Sequence, residues 1–305
     1  MQKSLAKFFY LITAFFILFI LSGCEEHVVG MLNPKGLIAS EERKLFFDTL
    51  ALMLIVVLPV IIMSFTFVYH YQVSHRIKEY KPNWSHSYFL ETLWWGIPCV
   101  IITVLAILTW KKTYELDPYS KIAGLNQPPI LVQAIALPWK WLFIYPDYNI
   151  ASVNRLVIPA GQQVEFWITA DNVPMSAFFI PQLGSQIYAM AGMRTRLHLV
   201  ADHIGHYEGL DTQYNGGGFS DMHFTVEVVT PEEMQAWIKQ TSLVQDHLTE
   251  ASYTALLNPT MNNAAQSFSG LPQNLFDNVL MTYMNTVGTV HPRSEQGQYY
   301  LQSDI

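Results

Sequence analysis

Two uncharged apolar runs constrain this chain more than anything else in it. Thr49 to Tyr69 passes 21 residues without an Asp, Glu, Lys or Arg, and Thr92 to Trp110 passes 19. About 20 apolar residues wound as a helix cross a hydrocarbon core, and a helix satisfies its own backbone polar groups there. A two-helix transmembrane hairpin over residues 45–112 is therefore expected. Pro59 would kink the first helix rather than end it. The turn carries Arg76, Lys78, Lys81 and one acid, Glu79, and then reads Pro82-Asn83-Trp84-Ser85-His86-Ser87. Ser85 or Ser87 is expected to cap the second helix, which Lys111 and Lys112 close.

Upstream, Lys3 and Lys7 precede an apolar run from Phe8 to Leu21, the pattern of a secretory signal over residues 1–23. Its end, Leu21-Ser22-Gly23-Cys24, resembles a bacterial lipoprotein box. That resemblance implies cleavage before Cys24, a lipid on its sulfur, and a periplasmic segment over 24–44. The Lys and Arg counts on the two sides of the hairpin do not orient it. With Cys24 outside, two crossings return everything after Trp110 to that same side and leave the turn cytoplasmic.

The rest is one large extramembrane part. Of 305 residues 51% are hydrophobic and only 13% charged, too apolar for an ordinary soluble protein. From Lys111 onward nine Lys and Arg face seventeen Asp and Glu, and the whole chain carries a net charge of −7, which excludes a nucleic-acid partner. Strands are expected at Ile130 to Ala136, at Trp139 to Tyr145, and at Leu156 to Gly161 leading into alternating Val164, Phe166 and Ile168. Short strands with Pro and Gly turns indicate a β-sandwich ending near Val229. Thr230-Pro231-Glu232-Glu233 is a capping box that should open a helix running to about Lys239. Leu257 to Leu275 reads as irregular, Leu275 to Met284 as a short helix, and the tail after Gly288 as mobile.

Gly205 to Met222 has the frame of a metal-binding loop. Gly205, Tyr207, Gly209 and Gly216 are similar to the copper loop of subunit II of haem-copper oxidases, G-x-Y-x-G-x-C-S-E-x-C-G-x-x-H-x-x-M. In that register the two cysteines fall on Asp211 and Asn215, the glutamate on Gln213, the histidine on Phe219, and the methionine on Met222. Ser176 to Leu199 resembles the same family's H-S-F-x-I-P-x-L-G segment, with Ser176 where its histidine ligand stands. The only cysteines are Cys24 and Cys99, neither able to reach the loop, so a dithiolate copper centre is excluded by counting. The losses point to the quinol-oxidising branch, the bo-type ubiquinol oxidases. The implied fold class is an α+β membrane protein: the hairpin, a cupredoxin-like Greek-key β-sandwich over 113–229 without its dicopper site, and a C-terminal helical extension over 230–305.

Trp139, Trp141 and Tyr145 lie in a segment resembling the family's W-x-W-x-F-x-Y-P. With the copper ligands lost, it is expected to be a strand that packs its aromatics against the sheet and a neighbouring subunit. Glu91, one turn into the second helix, resembles the family glutamate at the entrance of a proton channel; from its position alone it is equally an interfacial acid at a helix N-terminus. His198, His203, His206 and His223 show no ligand spacing and are expected to be structural.

No complete catalytic constellation stands out. The resemblance implies a subunit of a proton-pumping terminal ubiquinol oxidase in the bacterial inner membrane, binding no cofactor itself. Haems and copper would sit in subunit I, which with the other subunits and membrane lipid are the expected partners, and ubiquinol would be the substrate of the complex. A lipid-anchored binding or assembly module, and a cytochrome c oxidase subunit II, remain the alternatives.

Overall fold

The computed structural model describes residues 30–71, 85–125 and 127–284. The signal segment, Cys24, most of the hairpin turn and the tail after Gly288 lie outside the described residues.

Helix α1 spans Leu37–His70 and helix α2 spans Tyr88–Glu115, and both are long and apolar enough to cross a membrane. Each exceeds its uncharged run. At 1.5 Å per residue the 34 residues of α1 reach about 51 Å, so its first turns stand clear of a hydrocarbon core. That protruding end is held by the extramembrane part. The Lys35 amide donates to the Gln182 carbonyl at 2.7 Å, the Ala39 amide to Leu183 at 3.2 Å, and the Asp202 amide to Lys35 at 2.8 Å. A first-turn amide without a partner inside the helix is thereby satisfied. Gly36 is needed here, because a Cβ would lie 2.4 Å from the Val200 carbonyl oxygen. Lys112 bridges Glu41 at 2.8 Å and Glu115 at 2.6 Å, joining the two helices at this end. Ser87 does stand at the N-cap of α2 but makes no side-chain capping bond.

Among the described residues, eleven strands form two sheets. The six-stranded sheet runs β11-β3-β2-β1-β5-β8: Gln266–Ser269, Ile150–Val153, Lys140–Tyr145, Ile130–Leu137, Gln163–Ala170 and Thr195–Val200. The five-stranded sheet runs β4-β10-β9-β6-β7: Arg155–Pro159, His223–Val229, Gly205–Asp211, Ser176–Phe179 and Ile187–Ala189. The pairs β1 with β5 and β4 with β10 are parallel and the others antiparallel, so the chain crosses between sheets as a cupredoxin-like sandwich does.

Every side chain of β2 is buried, because both of its faces are covered. Trp141, Phe143 and Tyr145 enter the core between the sheets with Phe166, Phe178 and Phe224. Leu142 and Ile144 face outward, onto a second core with Leu248, Tyr253, Leu257, Phe268, Phe276 and Val279. Those partners come from the C-terminal extension, built of α3 (Pro231–Ser242), α4 (Glu250–Leu256), β11 and α5 (Leu275–Met284). The Thr230–Glu233 capping box forms as expected. One feature differs from the sequence expectation: Gln266–Ser269, within the stretch read as irregular, pairs with β3 and becomes the edge of the sheet.

Candidate functional site

Strand β6 begins at Ser176 and the β9–β10 loop runs from Asp211 to Met222, and the sandwich brings these two segments together. The Asn215 side-chain amide lies 3.1 Å from Ser176 Oγ, 2.9 Å from Asp211 Oδ2 and 3.1 Å from Met222 Sδ. Asp211 Oδ1 accepts the Ala177 amide at 2.8 Å and the Gln213 amide at 2.9 Å. Four of the six positions aligned with copper ligands therefore meet around one amide group. Gln213 contributes its backbone, and the Phe219 ring packs on Tyr214 at 5.7 Å instead of entering the cluster. Burial holds the Asp211 carboxyl above its ordinary range, against the hydrogen bonds from Ala177 and Gln213, which favour the anion.

The donors here are one carboxylate, one amide, one hydroxyl and one thioether. A thiolate-bridged copper pair needs sulfur and imidazole ligands, so these residues do not fit it. What they can do is tie the β6 start to the β9–β10 loop through a buried, shared carboxylate.

Trp139 roofs this loop. It closes the two-residue turn between β1 and β2 with φ of +59°, a conformation that costs a non-glycine residue energy. Packing holds it there: its Nε1–H donates to the Asn215 carbonyl at 3.3 Å, and its ring covers Gly218, where a Cβ would lie 2.2 Å from it. The strand's other two aromatics pack against the sheet, as expected. Trp141 and Tyr145 point inward and are fully buried, and Tyr145 Oη bonds both the amide and the carbonyl of Val157 at 2.9 Å. Their faces are spent on the core; only Trp139 is part-exposed.

The model of the family described as cytochrome c oxidase subunit II, periplasmic domain, matches residues 109–229, and that of the COX aromatic rich motif matches 245–286. Cytochrome bo(3) ubiquinol oxidase subunit 2 of Pseudomonas aeruginosa is 42% identical over 87% of this chain and 78% of its own length. The protein of the same description from Buchnera aphidicola subsp. Baizongia pistaciae is 42% identical over 86% of this chain and 91% of its own. Ubiquinol oxidase subunit 2 of Acetobacter aceti is 40% identical over 87% and 85%. The chain belongs to the ubiquinol oxidase subunit 2 family.

In this subunit 2 family member the two matched regions are the sandwich and the extension that covers its outer face. Two polar contacts within apolar surroundings fasten them, and the sequence reading missed both. Lys140, buried beneath the extension, donates from Nζ to the Leu256 carbonyl at 3.1 Å, the Asn258 carbonyl at 2.8 Å and Thr260 Oγ1 at 2.7 Å. Burial lowers the pKa of its amine to about 8. Asp171, also fully buried, accepts the hydroxyls of Tyr253 at 2.6 Å and Tyr283 at 2.7 Å. The available signal was a lysine between two tryptophans in a strand otherwise without charge.

Glu91 lies in the first turn of α2, where its Oε1 meets His86 Nδ1 at 2.7 Å. Both side chains are nearly half exposed. His198 is buried with Nδ1 on the Pro118 carbonyl at 3.0 Å, pinning the linker after α2 to β8. Among the described residues no three His, Cys, Asp or Glu side chains gather as a metal site.

Proposed function

We propose that this chain is the non-redox subunit II of a proton-pumping terminal ubiquinol oxidase that couples ubiquinol oxidation to reduction of oxygen to water. The carrying observation is the Ser176–Asp211–Asn215–Met222 cluster: hydrogen bonds occupy the place where a subunit receiving electrons from cytochrome c would need a dicopper centre. An acceptor of that kind is dispensable when the donor is a quinol oxidised within the membrane. The names of the relatives support the same substrate.

In this reading the sandwich and extension lie outside the bacterial inner membrane, the hairpin crosses it twice, and Cys24 carries a lipid. Subunit I is the partner and holds the haems and the remaining copper. Glu91 stands at the cytoplasmic mouth of a proton channel that runs through subunit I. The test is oxygen consumption by the detergent-purified complex, offered ubiquinol-1 or reduced cytochrome c. Turnover with the quinol alone is expected, and turnover with cytochrome c would overturn the assignment.

A further inference from the structure

Where α1 and α2 leave their uncharged runs, the loop between β6 and β7 roofs a cavity of about 750 Å³. The roof sits close on α1, since a Cβ at Gly184 would lie 2.7 Å from Leu199 Cδ2 and 3.2 Å from Ile38 Cγ2. Half-buried Glu42 lines the cavity and accepts the Ser185 hydroxyl. Lys112, also in the lining, is shared between Glu41 and Glu115, so these four side chains set three carboxylates against one ammonium. Such a balance favours a cationic ligand.

The seam between the helices continues below. Thr49 is the lining residue of α1 deepest in the span, and Leu52, about 5 Å further along the axis, opens a second cavity of about 520 Å³. Ile55, Leu93, Ile97 and Val100 wall it, and its lining carries no charge among the described residues. The hydroxyls of Thr49, Thr92 and Thr113 are bonded to carbonyls of their own helices, which leaves the lower seam effectively apolar. Charge above and hydrocarbon below is the arrangement of a membrane lipid.

We propose that this seam holds one phospholipid with an ammonium headgroup, its ammonium on Glu42 and an acyl chain between α1 and α2, resting on the reading that the hairpin lies in a bilayer. An acyl chain moving from lipid to an apolar seam exchanges one hydrocarbon surrounding for another, so the headgroup supplies the selectivity. The ammonium gains a charge-assisted contact with Glu42, and Lys112 offers the one positive charge to the lipid phosphate. An anionic headgroup would instead face three carboxylates.

The test offers the complete detergent-purified oxidase equimolar phosphatidylethanolamine and phosphatidylglycerol and reads retained lipid by native mass spectrometry. Wild type is expected to hold one phosphatidylethanolamine more than Gly96→Leu, which fills the lower cavity at a position where a Cβ meets nothing within 4 Å. Glu42→Gln keeps the shape and should lower that retention roughly three- to fivefold, the upper scale for a partly exposed ion pair, with haem content unchanged. A benzophenone side chain at Gln186 should capture the same lipid. If Gly96→Leu does not assemble, the other two arms decide. Equal retention in wild type and Glu42→Gln, equal retention of the two lipids, or capture of another subunit or a quinone in place of lipid overturns the inference while the bilayer reading stands. Release of the subunit from membranes by alkaline carbonate overturns both.

Discussion

Asp211 ties the start of β6 to the β9–β10 loop through one side chain. Its carboxyl gathers the Ala177 and Gln213 amides and the Asn215 side chain, so Asp211→Ala strands several buried donors at once. A loss of about 2–3 kcal/mol is expected from the unmet groups, seen as a lower urea midpoint for tryptophan fluorescence. Because burial raises its pKa, the folded protein keeps this proton to higher pH than the unfolded chain does. The associated stability is present below the ordinary carboxylate range and is lost as pH rises through the raised value. Asp211→Asn should flatten that part of the pH profile. Restoring Asp211→Cys and Asn215→Cys together is expected to give no purple copper spectrum, since Ser176 and Phe219 still supply no imidazole. The positions of this cluster were legible in the sequence because glycine and tyrosine spacing preserves the loop frame. Its bonding was not, since Asn215 meets Ser176 only through the fold, 39 residues apart.

Among the elements, β2 and the extension depend on each other. Period-two alternation in Trp141, Leu142, Phe143, Ile144 and Tyr145 is hidden because both faces are apolar, and the sequence therefore gave the strand without revealing its second cover. Trp141 and Tyr145 meet the expected packing against the sheet so fully that both are core. Lys140 locks the cover in place and makes it pH-dependent. Its folded pKa of about 8 lies below the 10.5 of an unperturbed lysine, so between those values the unfolded chain binds the extra proton. Stability should rise with pH across that window, by up to about 1.4 kcal/mol per pH unit from this residue. Lys140→Met should abolish this slope in urea titrations at pH 8, 9 and 10, and an unchanged slope would assign it elsewhere. The helix hairpin, by contrast, was readable almost to its ends, since missing charges mark the hydrocarbon span directly. The protruding turns of α1 were not, because contacts from Gln182 and Leu183 on the sandwich sustain them.

At the scale of the whole molecule, hydrogen bonds close the Asp211–Met222 loop of the sandwich and its own C-terminal chain closes its outer sheet face. Under the proposed reading a lipid on Cys24 only adds to two helices long enough to span, so Cys24→Ser is expected to leave the complex assembled and haem-loaded while blocking both lipid attachment and signal removal. Intact-mass spectrometry reads this, and an unmodified chain beginning at Met1 in the wild type would end the lipoprotein reading. The central claim is that this subunit carries no electrons. Its most direct test is metal analysis and visible absorption of this subunit isolated from the active oxidase. The account predicts no bound copper and no purple absorption; copper retained with a purple spectrum would contradict it.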